Sequence, residues 1–320
     1  MWAPANWRFS FLAHPASTHL KPSLPVVRAP AEFPRISENE KTVMRAIIPF
    51  IKILTVAASV TTVLAQVPGN ISWLTNLEEA KNRASRENRL ILVDFWAEWC
   101  GPCLRMDGEV WNQPAIGHLA SKFVLLRVDV DREEPLTQWY QVDVIPAVLL
   151  LDSFGNKLAH VVGYRSSREM EEIMKALPED FSNVYDLLRK AKEDGENADV
   201  LIDLADRYRF HGFHLVSNQY YKKASGSREV KDDPRRMDHI RTFSAVNFLL
   251  IKESKRARKL FEKCLKKSPG SRYRPLHLFG LVKANLDLKN RKKARKYFAI
   301  LKKEFGDDQH TMWAGELLKQ

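Results

Sequence analysis

Cysteine is scarce in this 320-residue chain: three are present, too few for a disulfide-dense scaffold. Cys100 and Cys103 stand two residues apart, and Cys264 stands alone. A tetrahedral zinc site needs a second pair of ligands. None is available, because the nine histidines are scattered, His118 and His160 are off ligand spacing, and no His-x-His or Cys-x-x-His lies near the cysteines. A structural zinc ribbon is set aside, and no metal is expected. Long apolar runs are also lacking. The apolar run at 53–65 falls short of the roughly 20 residues that cross a bilayer, and a spanning segment would have to carry Lys52 inside it. Acidic residues are missing before Glu32 and outnumbered after residue 180, where 32 Lys and Arg face 18 Asp and Glu, against 19 and 21 in residues 1–180. The whole excess of +12 therefore belongs to the C-terminal part.

Residues 1–43 are rich in proline, with aromatic and basic residues at no helical or strand period, so disorder is expected and the stretch reads as a mis-called extension ahead of Met44. Residues 44–65 have the layout of an export signal, with a basic start, an apolar run and the small-residue cleavage site Val63-Leu64-Ala65. A membrane anchor at the same place and an organelle transit segment over 1–65 are the competing readings. The rest is 45% apolar and 28% charged over the whole chain, a composition that folds, and it divides into expected domains at 70–180 and 181–320.

Residues 90–103, LILVDFWAEWCGPC, organise the first domain: a buried apolar strand breaks into two cysteines separated by Gly101 and Pro102. Cysteines so placed at a helix start close a small disulfide ring, and the helix N-terminus stabilises a thiolate there. Pro102 suits the first helical turn, where a missing N–H does no harm. With zinc set aside, redox chemistry is the favoured reading. Asp94 is the sharpest single residue, since a carboxylate inside a buried strand is unfavourable unless used, and burial is expected to raise its pKa toward proton transfer.

The stretch 91–103 resembles the active-site stretch of thioredoxins almost letter for letter. Downstream, Val144-Ile145-Pro146-Ala147 resembles the loop in which that family carries a cis-proline facing the disulfide, and Gly163 stands at a family glycine. The resemblance covers about 75–178 and implies an α/β thioredoxin fold, a mixed sheet with helices on both faces. It further implies Cys100 as the attacking thiol with the more exposed sulfur, Cys103 as the resolving thiol and Asp94 as its base. Trp99, Gly101, Pro102, Ile145 and Pro146 would bind substrate, with Ile145 N–H and C=O open to an extended strand. Arg127 stands where thioredoxins carry a lysine near the buried acid. The only cofactor implied is the Cys100–Cys103 disulfide itself. Two departures stand out: Gly108 replaces a helix-kinking proline, and 109–115 resembles longer periplasmic thioredoxin-like domains, such as that of the membrane transporter of reducing equivalents.

Periodicity predicts a helix at 76–88 capped by Asn76, strands at 123–130, 148–151 and 157–162 with a turn at 153–156, and helices at 133–140 and 166–177. Beyond 180 amphipathic helices follow one another. The segment 256–261 recurs at 293–298, a spacing of 37, with a weaker copy at 218–224. Such recurrence suggests stacked hairpins and resembles tetratricopeptide repeats, through Leu204, Ala205, Tyr208, Ala257, Phe261 and Pro269, although Val282 sits where a small residue is expected. Cys264 falls on the inward side of its helix, as an inert core thiol does.

The expectation is an exported, periplasmic or extracytoplasmic thiol-disulfide oxidoreductase, acting as a protein disulfide reductase because Gly-Pro between the cysteines resembles the reducing thioredoxins. Protein disulfides are its expected substrates, a membrane carrier its expected electron donor, and an acidic protein the expected partner of the basic helical domain; nucleic acid is not expected. The alternative is an adaptor or chaperone-like protein in which the thioredoxin-like domain is accessory.

Overall fold

The computed structural model describes residues 71–319. The expected extension and the export signal or anchor lie outside the described residues.

The apolar run forms the central strand β1, Ile91–Trp96. Side chains alternate along it: Ile91, Val93 and Phe95 meet Val124, Leu126, Val128 and Leu149 on one face, while Leu90 and Leu92 join Leu125, Met106, Val110 and Trp111 on the other. A strand buried on both faces needs no polar alternation. Asp94 interrupts the second face.

Before it runs helix α1, Leu77–Glu87, whose Asn76 cap accepts the Glu79 N–H at 2.9 Å as expected. After it come α2, Gly101–Met106, a π-helical turn at Asp107–Trp111, α3, Pro114–Ala120, and β2, Val124–Asp129. Helix α4, Glu134–Trp139, leads to β3, Ala147–Leu151, β4, Lys157–Val162, and α5, Ser167–Ala176. The strand order is β2-β1-β3-β4, with β1 parallel to β2 and the other pairs antiparallel. The proline expected to kink the active-site helix is replaced by the π turn, which bends it at the same place.

The remaining chain is helical: α6 Ser182–Asp194, α7 Ala198–Phe210, α8 His214–Gly226, the short α9 Arg228–Lys231, α10 Pro234–Leu250, α11 Ser254–Lys267, α12 Arg274–Asp287, α13 Arg291–Glu304 and α14 Gln309–Lys319. Helices α7 with α8, α10 with α11, and α12 with α13 pair as hairpins. All three sequence copies fall on the second helix of a hairpin. The small residue expected near Val282 is Gly280, where a Cβ would stand 2.3 Å from the buried Phe261 ring. Cys264 is fully buried, and burial pushes its thiol up to about 12.

Near residue 180 the packing is continuous, and residues 66–320 form one compact unit. Phe181 meets Tyr185, Tyr208 and Phe213 edge-on within the same core as Leu90 and Leu150. Polar contacts bind the same joint. The Tyr185 hydroxyl donates to the Arg89 carbonyl at 2.7 Å and accepts the Ser153 N–H. The Tyr208 hydroxyl donates to buried Asp152 at 2.6 Å, which also accepts from Phe154 N and from both nitrogens of Asn156. These contacts lie at the start of β1 and the β3–β4 turn, opposite the end at which β1 delivers the cysteines.

Candidate active site

Where the chain leaves β1, residues 97–99 turn it into α2, and Cys100 becomes the N-cap. Its sulfur lies 3.2 Å from the Cys103 N–H, the unpaired backbone donor that a helix start offers to a thiolate. Pro102 occupies the first turn, as expected. Cys100 and Cys103 form a disulfide with S–S 2.07 Å and Cα–Cα 5.2 Å.

The expected difference in exposure is not found: Cys100 is 3% and Cys103 2% exposed. Ala97, Trp96, Val130 and Ile145 pack around the closed ring and enclose both. What distinguishes the two residues is position: Cys100 caps the helix and receives its N–H, whereas Cys103 sits within it.

Around the ring is an exposed rim. Trp99 is 69% exposed, its indole N–H donating to Asp131 at 2.8 Å, and Gly101 and Pro102 are open beside it. Ile145 is half-buried against the cysteines, and the Ile145–Pro146 peptide is cis. Among the described residues Ile145 makes no backbone hydrogen bond, while the Pro146 carbonyl accepts the Gly163 N–H at 2.8 Å. Gly163 has φ +83°, a conformation that glycine adopts without strain. Leu104 and Val144 complete the rim as exposed apolar side chains that sequence reasoning did not single out.

Behind the ring lies Asp94, on the sheet face against which α2 and the π turn pack. Burial, opposed by Arg127 and reinforced by Asp107, raises its carboxyl to about 7. Arg127 stands opposite Asp94 in the parallel register, with Nε 3.4 Å from Oδ2. Its Nη2 is closer to Asp107, at 2.7 and 2.8 Å from the two carboxylate oxygens, and its guanidinium lies 4.0 Å from the Trp96 ring centre. Arg127 is thus a half-buried member of the site. The buried Trp111 indole N–H, which makes no full hydrogen bond, weakly lowers Asp94. Asp107 and Trp111 were not anticipated. The available signal was spacing, since Asp107 follows Cys103 by four residues and so shares its helical face. No metal-ligand cluster occurs among the described residues. A dithiol ring at a helix N-terminus, backed by a buried acid and fronted by an apolar rim, suits thiol-disulfide exchange.

Residues 72–153 match the family described as thioredoxin-like. Thioredoxin-1 of Drosophila melanogaster is 33% identical over 99 residues, 30% of this chain and 90% of that protein. Thioredoxin of Alicyclobacillus acidocaldarius subsp. acidocaldarius is 33% identical over 89 residues, 28% of this chain and 82% of the relative. Among solved structures, the germline-specific thioredoxin Deadhead of Drosophila melanogaster aligns at 29% identity, with a TM-score of 0.28, over 34% of this chain and all of that one.

Proposed function

The chain belongs to the thioredoxin family through its sheet-containing part, and from that premise we propose that it is an exported protein disulfide reductase whose helical array engages a client or partner. The observation that carries this reading is the Cys100–Cys103 ring at the helix start with Asp94 buried behind it. In the reduced protein the Cys100 thiolate attacks one sulfur of a client disulfide. That bond breaks, a mixed disulfide forms, and one client sulfur leaves as a thiolate that takes a proton. Asp94 accepts the proton of Cys103, whose sulfur then attacks Cys100 Sγ and releases the second client sulfur. Two electrons have passed to the client and the ring is closed. Trp99, Leu104 and Val144 would bear on the client's side chains, and Ile145 on its backbone.

In an oxidising compartment the ring must be reduced again, and a membrane carrier of reducing equivalents is the proposed donor. Export itself rests on the signal-like residues 44–65. For the partner, support comes from charge: α11 and α13 together carry fourteen Lys and Arg against two Glu, an excess equal to that of the whole chain. Among the described residues no Lys or Arg of α13 enters an ion pair, and in α11 only Arg256 and Arg258 do. An acidic protein segment fits such a face, because no exposed large apolar side chain on either helix would enter a lipid surface.

The test is reduction of insulin by the full chain with dithiothreitol as the electron source. Turnover well above dithiothreitol alone, abolished by Cys100→Ser, is expected, with Cys103→Ala accumulating a mixed disulfide with the client. Turnover no higher than that of Cys100→Ser would overturn the reading in favour of an adaptor.

A further inference from the structure

A regular helix after Cys103 would carry one inward position per turn. The π turn widens the helix at Asp107–Trp111 and brings two side chains to the Asp94 face. Arg127 is shared unequally between the two acids there. Its Nη2 lies 2.7 and 2.8 Å from the Asp107 oxygens, whereas its Nε–H lies 3.4 Å from Asp94 and completes no hydrogen bond. The Trp96 ring underneath fixes the plane of the guanidinium.

We propose that Asp107 is a positioning residue for the resolving step: by holding the Arg127 guanidinium it keeps that cation from pairing fully with Asp94, and so leaves Asp94 able to take the Cys103 proton. The proposal rests on the reading of Asp94 as the base. Every group facing Asp94 is consistent with it: β2 presents Arg127, β3 presents the uncharged Val148, the π turn presents Asp107 and the Trp111 indole, and α2 presents Cys103 one turn before Asp107. On the outer side of the turn Arg105, Glu109 and Tyr164 pair with one another. Arg127 lowers Asp94 and Asp107 raises it. Neutralising Asp107 therefore acts twice in one direction, removing a like charge and releasing a cation to Asp94. A carboxylate ionised well below neutrality is a weaker base for a thiol.

The experiment uses the reduced full chain and the chromogenic disulfide of thionitrobenzoate. Cys100 releases one thionitrobenzoate in the first phase, and Cys103 releases the second as the ring closes, so the second phase reads the resolving step. In the wild type its rate should fall on acidification with a midpoint near the Asp94 value of about 7. Asp107→Asn should move that midpoint down by about one pH unit or more and slow the plateau several-fold. Asp107→Glu should restore the profile, and Arg127→Gln should move the midpoint up. If Asp94→Asn leaves the second phase and its acid limb unchanged, the reading of Asp94 as base fails. If Asp94→Asn removes that limb while neither Asp107→Asn nor Arg127→Gln displaces the midpoint, the assignment of Asp107 is overturned on its own.

Discussion

At the scale of single residues the decisive balance is at Asp94, where desolvation outweighs the partial attraction of Arg127. Its folded pKa of about 7 lies above its ordinary 3.8, so the fold favours the protonated form. Below about pH 4 both folded and unfolded chains hold the proton and nothing is lost. As pH rises from there to 7 the unfolded chain releases the proton first, and stability falls. Asp94→Asn keeps shape and polarity without titrating. It should therefore be more stable than wild type by about 1–3 kcal/mol at pH 8, with little difference at pH 4. Denaturant titrations at the two pH values check this; equal differences at both would mean that Asp94 is not a buried acid with a raised pKa.

At the scale of elements, close approach is set by a few small residues. Gly280 in α12 lies against Phe261 of α11, and an added Cβ would meet the ring at 2.3 Å. Alanine gains about 1 kcal/mol in helix propensity over glycine, yet forcing two packed helices apart costs about 1–3 kcal/mol. Gly280→Ala should therefore destabilise, as a lower urea midpoint with unchanged slope. The elements themselves were legible because their patterns are local: the strand at 157–162, the Asn76 cap and the Ser166 helix start all fall where periodicity and capping chemistry put them. Less legible was whatever depends on a partner distant in sequence. The π turn follows from how the helix settles over β1, and Asp107 gains its meaning only when the fold places Arg127, twenty residues on, beside it. In the same way the enclosure of Cys100 comes from Val130 and Ile145, which nothing near the motif announces.

At the scale of the whole molecule, sheet and helical array share one core, and the buried Asp152–Tyr208 contact is its polar pin. Tyr208→Phe leaves Asp152 short of a donor and should destabilise by about 1–3 kcal/mol. Near-ultraviolet signals from the tryptophans and far-ultraviolet signals from the helices should shift to the same lower midpoint; separate midpoints would mean that the two parts unfold independently. The outer face of α11 and α13 gives a second whole-molecule test. An acidic peptide should bind with an affinity that falls steeply as salt rises, and reversing Lys259, Lys266, Lys296 and Lys303 to Glu should abolish that binding without changing thionitrobenzoate release from Cys100. The central claim is that the Cys100–Cys103 ring serves to reduce clients, and equilibrium titration of the full chain against glutathione redox buffers measures this most directly. The account expects a potential near that of thioredoxin itself, about −270 mV, whereas a value above about −180 mV would contradict it.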